Sequence, residues 1–218
     1  MNVKLYNYYR SSASYRVRIA LNLKDITYET IPVHLVSHNG EQHTPDYIKL
    51  NPQALVPTLD ENGHVLSQSL AIIEYLEEIS PTPPLLPQNP LGRAQVRSLA
   101  LLIACDMHPL NNLRVLEQLR QQFKADEKQV QEWYHLWLKN GFDAFENRLQ
   151  QLPRKNPVCY GSEVTLADIC LIPQVYNAHR FKFPMSAYPL INEINEYCLT
   201  LAAFFDARPE AEVPLVND

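Results

Sequence analysis

Apolar residues recur along the chain with two different periods, and the change between them falls near residue 80. Val3 to Tyr8 is a short apolar-aromatic run suited to a buried strand. Ser11-Ser12 opens a helical stretch with Val17, Ala20 and Leu21 at i, i+3 and i+4, which places Arg18 and Asn22 on a polar face. Lys24 in its last turn complements the helix dipole. Thr27 to Leu35 reads as a second strand, and a polar, His-containing stretch then leads into a short helix from Pro45 to Leu50. Leu55 to Leu59 and His64 to Leu66 read as third and fourth strands joined by an Asp-Glu-Asn-Gly turn. Ser69 is expected to cap a helix whose Ile72, Leu76 and Ile79 share one face.

The order is β-α-β-α-β-β-α. A strand-helix-strand unit favours a parallel pair and a strand-strand step favours a hairpin, so residues 1–80 predict a thioredoxin-like α/β domain. Ser80 to Leu91 then holds five prolines, too many for a helix or a central strand, and residues 81–91 are expected to form a stiff linker. Residues 92–218 are helical in pattern, an all-α second domain. Gly92 to Phe123 carries a long apolar stripe that Pro109 should kink. Val130, Trp133, Trp137, Phe142, Phe145 and Leu149 recur at helical spacing, which is the pattern of a core face. Thr165-Leu166-Ala167-Asp168 is a capping box in which Asp replaces the usual Glu or Gln, with Val164 and Ile169 as its hydrophobic staple.

Composition narrows the functional classes. With 218 residues, 46% of them hydrophobic, the chain can build cores without disulfide or metal staples. A net charge of -5 argues against binding a nucleic-acid backbone, which needs a basic face. The four cysteines are scattered without CxxC or zinc-ligand spacing, and Cys170 and Cys198 sit among apolar residues, as reduced core thiols do. Cys105 and His108 lie i, i+3 and make half a metal site with no further ligands, so no metal is expected. The N-terminus lacks a signal design and no apolar run reaches the ~20 residues that span a bilayer. The expectation is a cytoplasmic protein without membrane or nucleic-acid partners.

Three segments bear chemistry. Tyr9-Arg10-Ser11-Ser12-Ala13-Ser14-Tyr15-Arg16 places three hydroxyls and two guanidiniums at the positive end of a helix, where unpaired backbone N–H groups stabilise an anion. The same serines also suit plain capping, and both readings stand at this point. Gln68-Ser69 opens a second helix and offers an amide and a hydroxyl to a carboxylate, or again only a cap. Val56-Pro57 lies between the two in the chain.

These segments resemble zeta-class glutathione S-transferases, the maleylacetoacetate isomerases. The likeness runs through Ser11-Ser12-Ala13-Ser14-Tyr15-Arg16-Val17-Arg18-Ile19-Ala20-Leu21, Asn51-Pro52, Val56-Pro57-Thr58-Leu59 and Gln68-Ser69-Leu70-Ala71-Ile72-Ile73-Glu74-Tyr75-Leu76. It continues in Pro81-Thr82-Pro83, Leu85-Leu86-Pro87, Leu166-Ala167-Asp168 and Pro173-Gln174-Val175. The resemblance implies a glutathione S-transferase fold and glutathione as cofactor. It implies catalytic roles for Ser11, Ser12 and Arg10, with the Ser11 hydroxyl stabilising the glutathione thiolate. It implies a glutathione site formed by Ser11, Ser12, Ala13, Ser14, Tyr15, Arg16, Gln42, Val56, Pro57, Gln68 and Ser69, with His108 and Asn112 close by. Val56 would pair with the cysteinyl backbone, while Gln68 and Ser69 would hold the γ-glutamyl carboxylate. Arg10, Arg114 and Arg180 would take the carboxylates of a small acidic substrate, and the assembly would be a homodimer.

The activity so implied is cis-trans isomerisation of maleylacetoacetate in tyrosine and phenylalanine breakdown, by reversible thiolate addition to the double bond. Two departures bear on it. Ala13 stands where the family usually has Cys, so no protein thiol acts there. Arg114 resembles bacterial relatives that isomerise maleylpyruvate, which leaves both acids open. Conjugation or dehalogenation of small α-halo acids by glutathione is a further enzymatic alternative. A non-catalytic glutathione-fold binding module is the alternative of another class, against which the retained Ser11, Ser12 and Ser14 argue.

Overall fold

The computed structural model describes residues 2–36 and 40–212, so part of the polar stretch around His38 and the last six residues lie outside it. Two compact units emerge, residues 1–84 together with 200–218, and residues 85–199. The second ends at 199 because the C-terminal segment packs on the first.

In the first unit the strands β1 (Val3–Asn7), β2 (Glu29–Pro32), β3 (Thr58–Glu61) and β4 (His64–Ser67) form one sheet in the order β2-β1-β3-β4. β1 and β2 are parallel and β3–β4 is an antiparallel hairpin, as the element order predicts, and β1–β3 is antiparallel. Leu5 and Leu59 face each other in the β1–β3 register and are both fully buried. β3 and β4 turn through Asn62 (φ 53°) and Gly63 (φ 88°), the paired left-handed residues of a tight hairpin, with Asp60 accepting from the Gly63 N–H at 2.7 Å. β2 is shorter than Thr27–Leu35 and β3 begins at Thr58, since the flanking residues leave the ladder.

α1 (Ser12–Leu23), α2 (Pro45–Leu50) and α3 (Ser69–Ile79) complete that unit with the short α9 (Ala202–Phe205) and α10 (Pro209–Glu212). α1 departs from the expected amphipathic helix. α3 and α9 both pack on it, and residues 14 to 21 are buried without a break, Arg16 and Arg18 included. Lys24 does not serve the helix dipole with its side chain. Its buried ammonium donates to Glu77 of α3 and to the Pro83 carbonyl, both at 2.6 Å. On α3 the buried face is Ile72, Ile73 and Leu76, with Ile79 at the exposed end.

The second unit is helical: α4 (Pro90–Leu101), α5 (Leu113–Gln122), α6 (Glu127–Leu149), α7 (Leu166–Arg180) and α8 (Pro189–Thr200, whose last residue falls to the first unit). The proline-rich stretch is irregular only as far as Asn89. Asn89 caps α4 by accepting from the Gly92 N–H at 2.7 Å, and Pro90 occupies the first turn, where its missing N–H costs nothing. Between α4 and α5 the chain does more than kink. It widens into a π-helical turn, Leu102–Met107, and then tightens into a 3-10 turn, Pro109–Asn111.

The buried stripe of α6 is Val130, Tyr134, Leu138, Phe142, Phe145 and Leu149. Trp133 and Trp137 flank it half-buried instead of forming it; the Trp133 indole donates to the Leu110 carbonyl at 2.9 Å. Thr165 starts α7 as a capping box, and Asp168 does more than close it. Its fully buried carboxylate accepts from the Cys159 N–H (2.7 Å) and from the Thr165 N–H and hydroxyl (both 2.8 Å). Burial pushes this carboxyl above its ordinary range, with the three donors pulling the other way. All four cysteines are thiols, Cys105 exposed and Cys159, Cys170 and Cys198 buried.

Candidate functional site

The β1–α1 turn is built around Ser11. With extended backbone (φ -72°, ψ 119°) it sits as the N-cap of α1, and its side-chain oxygen accepts from the Ser14 N–H at 3.2 Å. The Ser11 N–H donates to the Tyr8 carbonyl at 2.9 Å and so closes the turn. This arrangement uses a lone pair of the Ser11 hydroxyl and leaves its proton for an outside acceptor. The Ala13 N–H makes no hydrogen bond among the described residues. A half-exposed hydroxyl and an open amide thus meet at the positive end of a three-turn helix. The exposed Arg10 lies beside them, its guanidinium 4.8 Å from the centre of the Tyr9 ring.

Ser12, Ser14, Tyr15 and Arg16 are buried beneath this surface. The Tyr15 hydroxyl donates to the Phe204 carbonyl at 3.2 Å. These side chains lie beneath the turn and not on its open surface.

The second helix start differs from expectation. Ser69 is the first residue of α3, and the cap position belongs to Gln68 in the left-handed region (φ 69°), without a side-chain cap. The N–H groups of Ser69, Leu70 and Ala71 therefore make no hydrogen bond among the described residues. Three open amides in one helical turn are donors that a carboxylate can accept from. The Gln68 side chain is exposed and donates to the Gln53 amide oxygen at 2.7 Å. Arg16 joins the two helix starts, since its guanidinium, in a residue only 1% exposed, donates to the Ser69 hydroxyl at 3.4 Å.

Val56-Pro57 is cis, as is Thr82-Pro83. Val56 forms no hydrogen bond among the described residues, so both its N–H and its C=O remain open. The residues that hold it there are Tyr47, Asn51 and Thr58. The Tyr47 hydroxyl (2.7 Å) and the Asn51 side-chain amide (2.8 Å) both donate to the Leu55 carbonyl, and both contact the Thr58 hydroxyl. The sequence gives one weak signal for this brace, a tyrosine and an asparagine four residues apart before the X-Pro step. Gln42 is buried in a short 3-10 turn, its amide nitrogen 3.4 Å from the Leu35 carbonyl and its amide oxygen without a partner among the described residues.

In the second unit, half-buried His108 ends the π-helical turn and Asn112 caps α5, its side-chain oxygen accepting from the Arg114 N–H at 3.2 Å. Arg114 is exposed on the first turn of α5. Arg180 is the exposed last residue of α7, with its guanidinium 5.2 Å from the Phe181 ring, which itself stacks on Tyr134 at 3.7 Å.

A four-stranded mixed sheet with two open helix starts, followed by a helical unit, is the glutathione S-transferase architecture. Residues 5–84 match the family model for the glutathione S-transferase N-terminal domain. A maleylpyruvate isomerase from Ralstonia is 49% identical over 96% of this chain and 98% of its own length. The maleylacetoacetate isomerase of the mouse is 48% identical over 95% and 93%. A solved maleylacetoacetate isomerase from Methylobacterium extorquens AM1, with bound malonate and glutathione, is 40% identical and superposes with a TM-score of 0.90 over 94% of this chain and 96% of that one. The chain belongs to the zeta class of the glutathione S-transferases, the family of the maleylacetoacetate isomerases.

Proposed function

We propose that the protein is a glutathione-dependent cis-trans isomerase acting on maleylacetoacetate in the breakdown of tyrosine and phenylalanine. The observation that carries this reading is the pair of open helix starts bridged by Arg16, with the open main chain of Val56 in the same unit. The donor set matches tripeptide chemistry: an anionic sulfur at Ser11 and the Ala13 amide, an extended backbone at Val56, and a carboxylate on the amides of Ser69, Leu70 and Ala71. Gln42, Pro57 and the Gln68 side chain border the tripeptide, and the family resemblance adds His108 and Asn112 to its ligands.

Bound glutathione would supply the thiolate that adds to the activated double bond and leaves again, so that it is regenerated, not consumed. The Ser11 hydroxyl donates to that sulfur, and the helix start and the buried Arg16 charge favour its anionic form. Holding a thiol two pKa units below its free value takes about 2.7 kcal/mol, within reach of one charge-assisted hydrogen bond and a helix terminus. Arg10, Arg114 and Arg180 take the substrate carboxylates, for which the planar guanidinium is suited. Malonate in the Methylobacterium relative supports a small dicarboxylate as occupant. Maleylpyruvate remains the second reading, favoured by the Ralstonia relative and by Arg114. A cytoplasmic homodimer completes the proposal, and light scattering on the purified protein checks the assembly.

Isomerisation of both acids, followed by ultraviolet absorbance with and without glutathione, tests the function. The expected result is turnover that requires glutathione without consuming thiol, faster with maleylacetoacetate. Faster turnover of maleylpyruvate moves the assignment to that acid. Accumulation of a thioether replaces isomerisation by conjugation, and glutathione binding with no turnover of either acid leaves a binding module.

A further inference from the structure

Arg18 lies two residues beyond Arg16 on α1 and is fully buried, yet each nitrogen of its guanidinium has an acceptor. Nη2 donates to the Tyr9 carbonyl at 3.1 Å, on the turn that carries Arg10 and Ser11. Nη1 donates to the Asn7 side-chain oxygen at 2.7 Å, on the last residue of β1. Nε donates to the Ala207 carbonyl at 2.9 Å, in the loop between α9 and α10.

The C-terminal segment is bound at three further points by the same strand-turn-helix unit. Tyr15 donates to the Phe204 carbonyl, the Asn22 side chain to the Ala203 carbonyl at 3.1 Å, and the Asn7 side chain to the Glu212 carboxylate at 2.9 Å. Phe204 is fully buried, so the segment is a seated strap and not a loose tail. Asn7 stands at the centre, since its amide accepts from Arg18 with one atom and donates to Glu212 with the other.

We propose that Arg18 is a positioning residue for the thiolate turn and that residues 202–212, through it, are a working part of the glutathione site. The inference rests on the glutathione reading above. Its physical basis is that a carbonyl one residue before Arg10 is fixed from beneath by a buried cation, and that cation is itself fixed by the far end of the chain. A planar fork with three acceptors in three different segments holds their relative positions, and no neutral side chain of that size can do so. If the strap loosens, the turn moves, and Ser11 loses its aim at the sulfur while its own chemistry is intact.

The test compares Arg18→Met, Arg18→Lys and Glu212→Ala in the full chain. Two readouts are taken: amide hydrogen exchange over residues 9–14 without glutathione, and the thiolate absorbance of bound glutathione against pH. For Arg18→Met the expected result is exchange at least tenfold faster at the Ser11 amide, a bound-thiol pKa shifted back toward that of free glutathione, and kcat reduced more than KM is raised. Arg18→Lys, which reaches one acceptor, should recover part of each effect. Glu212→Ala, at the edge of the strap, should move all three in the same direction by a smaller factor, and it decides the matter if Arg18→Met does not fold.

Exchange that quickens across 202–212 while residues 9–14 and the thiol pKa stay unchanged overturns the proposal and leaves Arg18 a purely structural residue. The exchange readout needs no glutathione. Failure of the wild-type chain to bind glutathione therefore strikes the functional reading, and an unmoved turn strikes the strap.

Discussion

At the scale of single residues, the proposed function places two demands on the one oxygen of Ser11. As N-cap it must accept from the Ser14 N–H, and as thiolate partner it must donate its proton outward. Substitution separates the two. Ser11→Ala removes both, with an expected loss of about 1 kcal/mol of stability and a fall in turnover of about 10²-fold, the usual effect of deleting one preorganised donor. Ser11→Asp keeps an acceptor for the Ser14 amide and adds a negative charge that a helix start favours. It should therefore keep its melting temperature, yet lose turnover at least as severely as Ala, because a carboxylate beside the sulfur opposes the thiolate. Thermal unfolding and isomerase kinetics on both variants check this, and an active Ser11→Asp enzyme would move the donor role to the helix amides. The sequence left capping and anion binding as rival readings of these serines. Spacing alone does not choose, because a cap and a donor use different parts of the same hydroxyl.

At the scale of elements, the periodic stretches were legible and their surroundings were not. The parallel first pair, the Asn-Gly hairpin, the helix over 45–50 and the capping box at Thr165 all follow from local pattern, which carries the information that local geometry needs. The pattern of α1 taken alone puts Arg18 on a polar face. It is buried because residues from about 190 positions later cover it, and nothing near Arg18 reports them. Ser69 reads as a cap for a related reason, since the left-handed backbone at Gln68 has no marker in a Gln side chain. Trp133 and Trp137 keep helical spacing, but the stripe of α6 is turned toward Tyr134 and Leu138. Packing of α6 against the π-helical turn explains one further position. A Cβ on Gly141 would overlap Met107 Sδ and Cγ, and Met107 is itself buried. Gly141→Ala should therefore destabilise the protein by about 1–3 kcal/mol, the range of an overpacked core. In a Met107→Ala background the same change should cost far less, since the clashing atoms are gone. Denaturant unfolding of the four proteins in that cycle measures the coupling, and equal costs in both backgrounds would show that the helix shifts to make room.

At the scale of the whole molecule, the first unit is closed by the far end of the chain, and this closure has a signature in pH. Tyr28 lies just before β2, and burial pushes its phenol up to about 12, with the Glu212 carboxylate adding to the rise and Arg18 opposing it. Below the unfolded value of 10 the phenol is neutral in both states and the contribution to stability is complete. Between pH 10 and about 12 the unfolded chain gives up this proton while the folded chain keeps it. The unfolded state then binds fewer protons, so stability falls as pH rises through that window and levels off above it. Two pKa units correspond to about 2.7 kcal/mol of stability lost from this one group, as an order of magnitude. Tyr28→Phe should remove that part of the alkaline decline and leave the other tyrosines to titrate as before. Denaturant unfolding at intervals from pH 9 to 12, wild type against Tyr28→Phe, reads the difference directly. Parallel curves would mean that water reaches the phenol and that the C-terminal segment does not seal this side of the unit. A difference that opens through the window would place Tyr28 inside a junction made by residues near 18, 28 and 212, brought together only when both ends of the chain are in place.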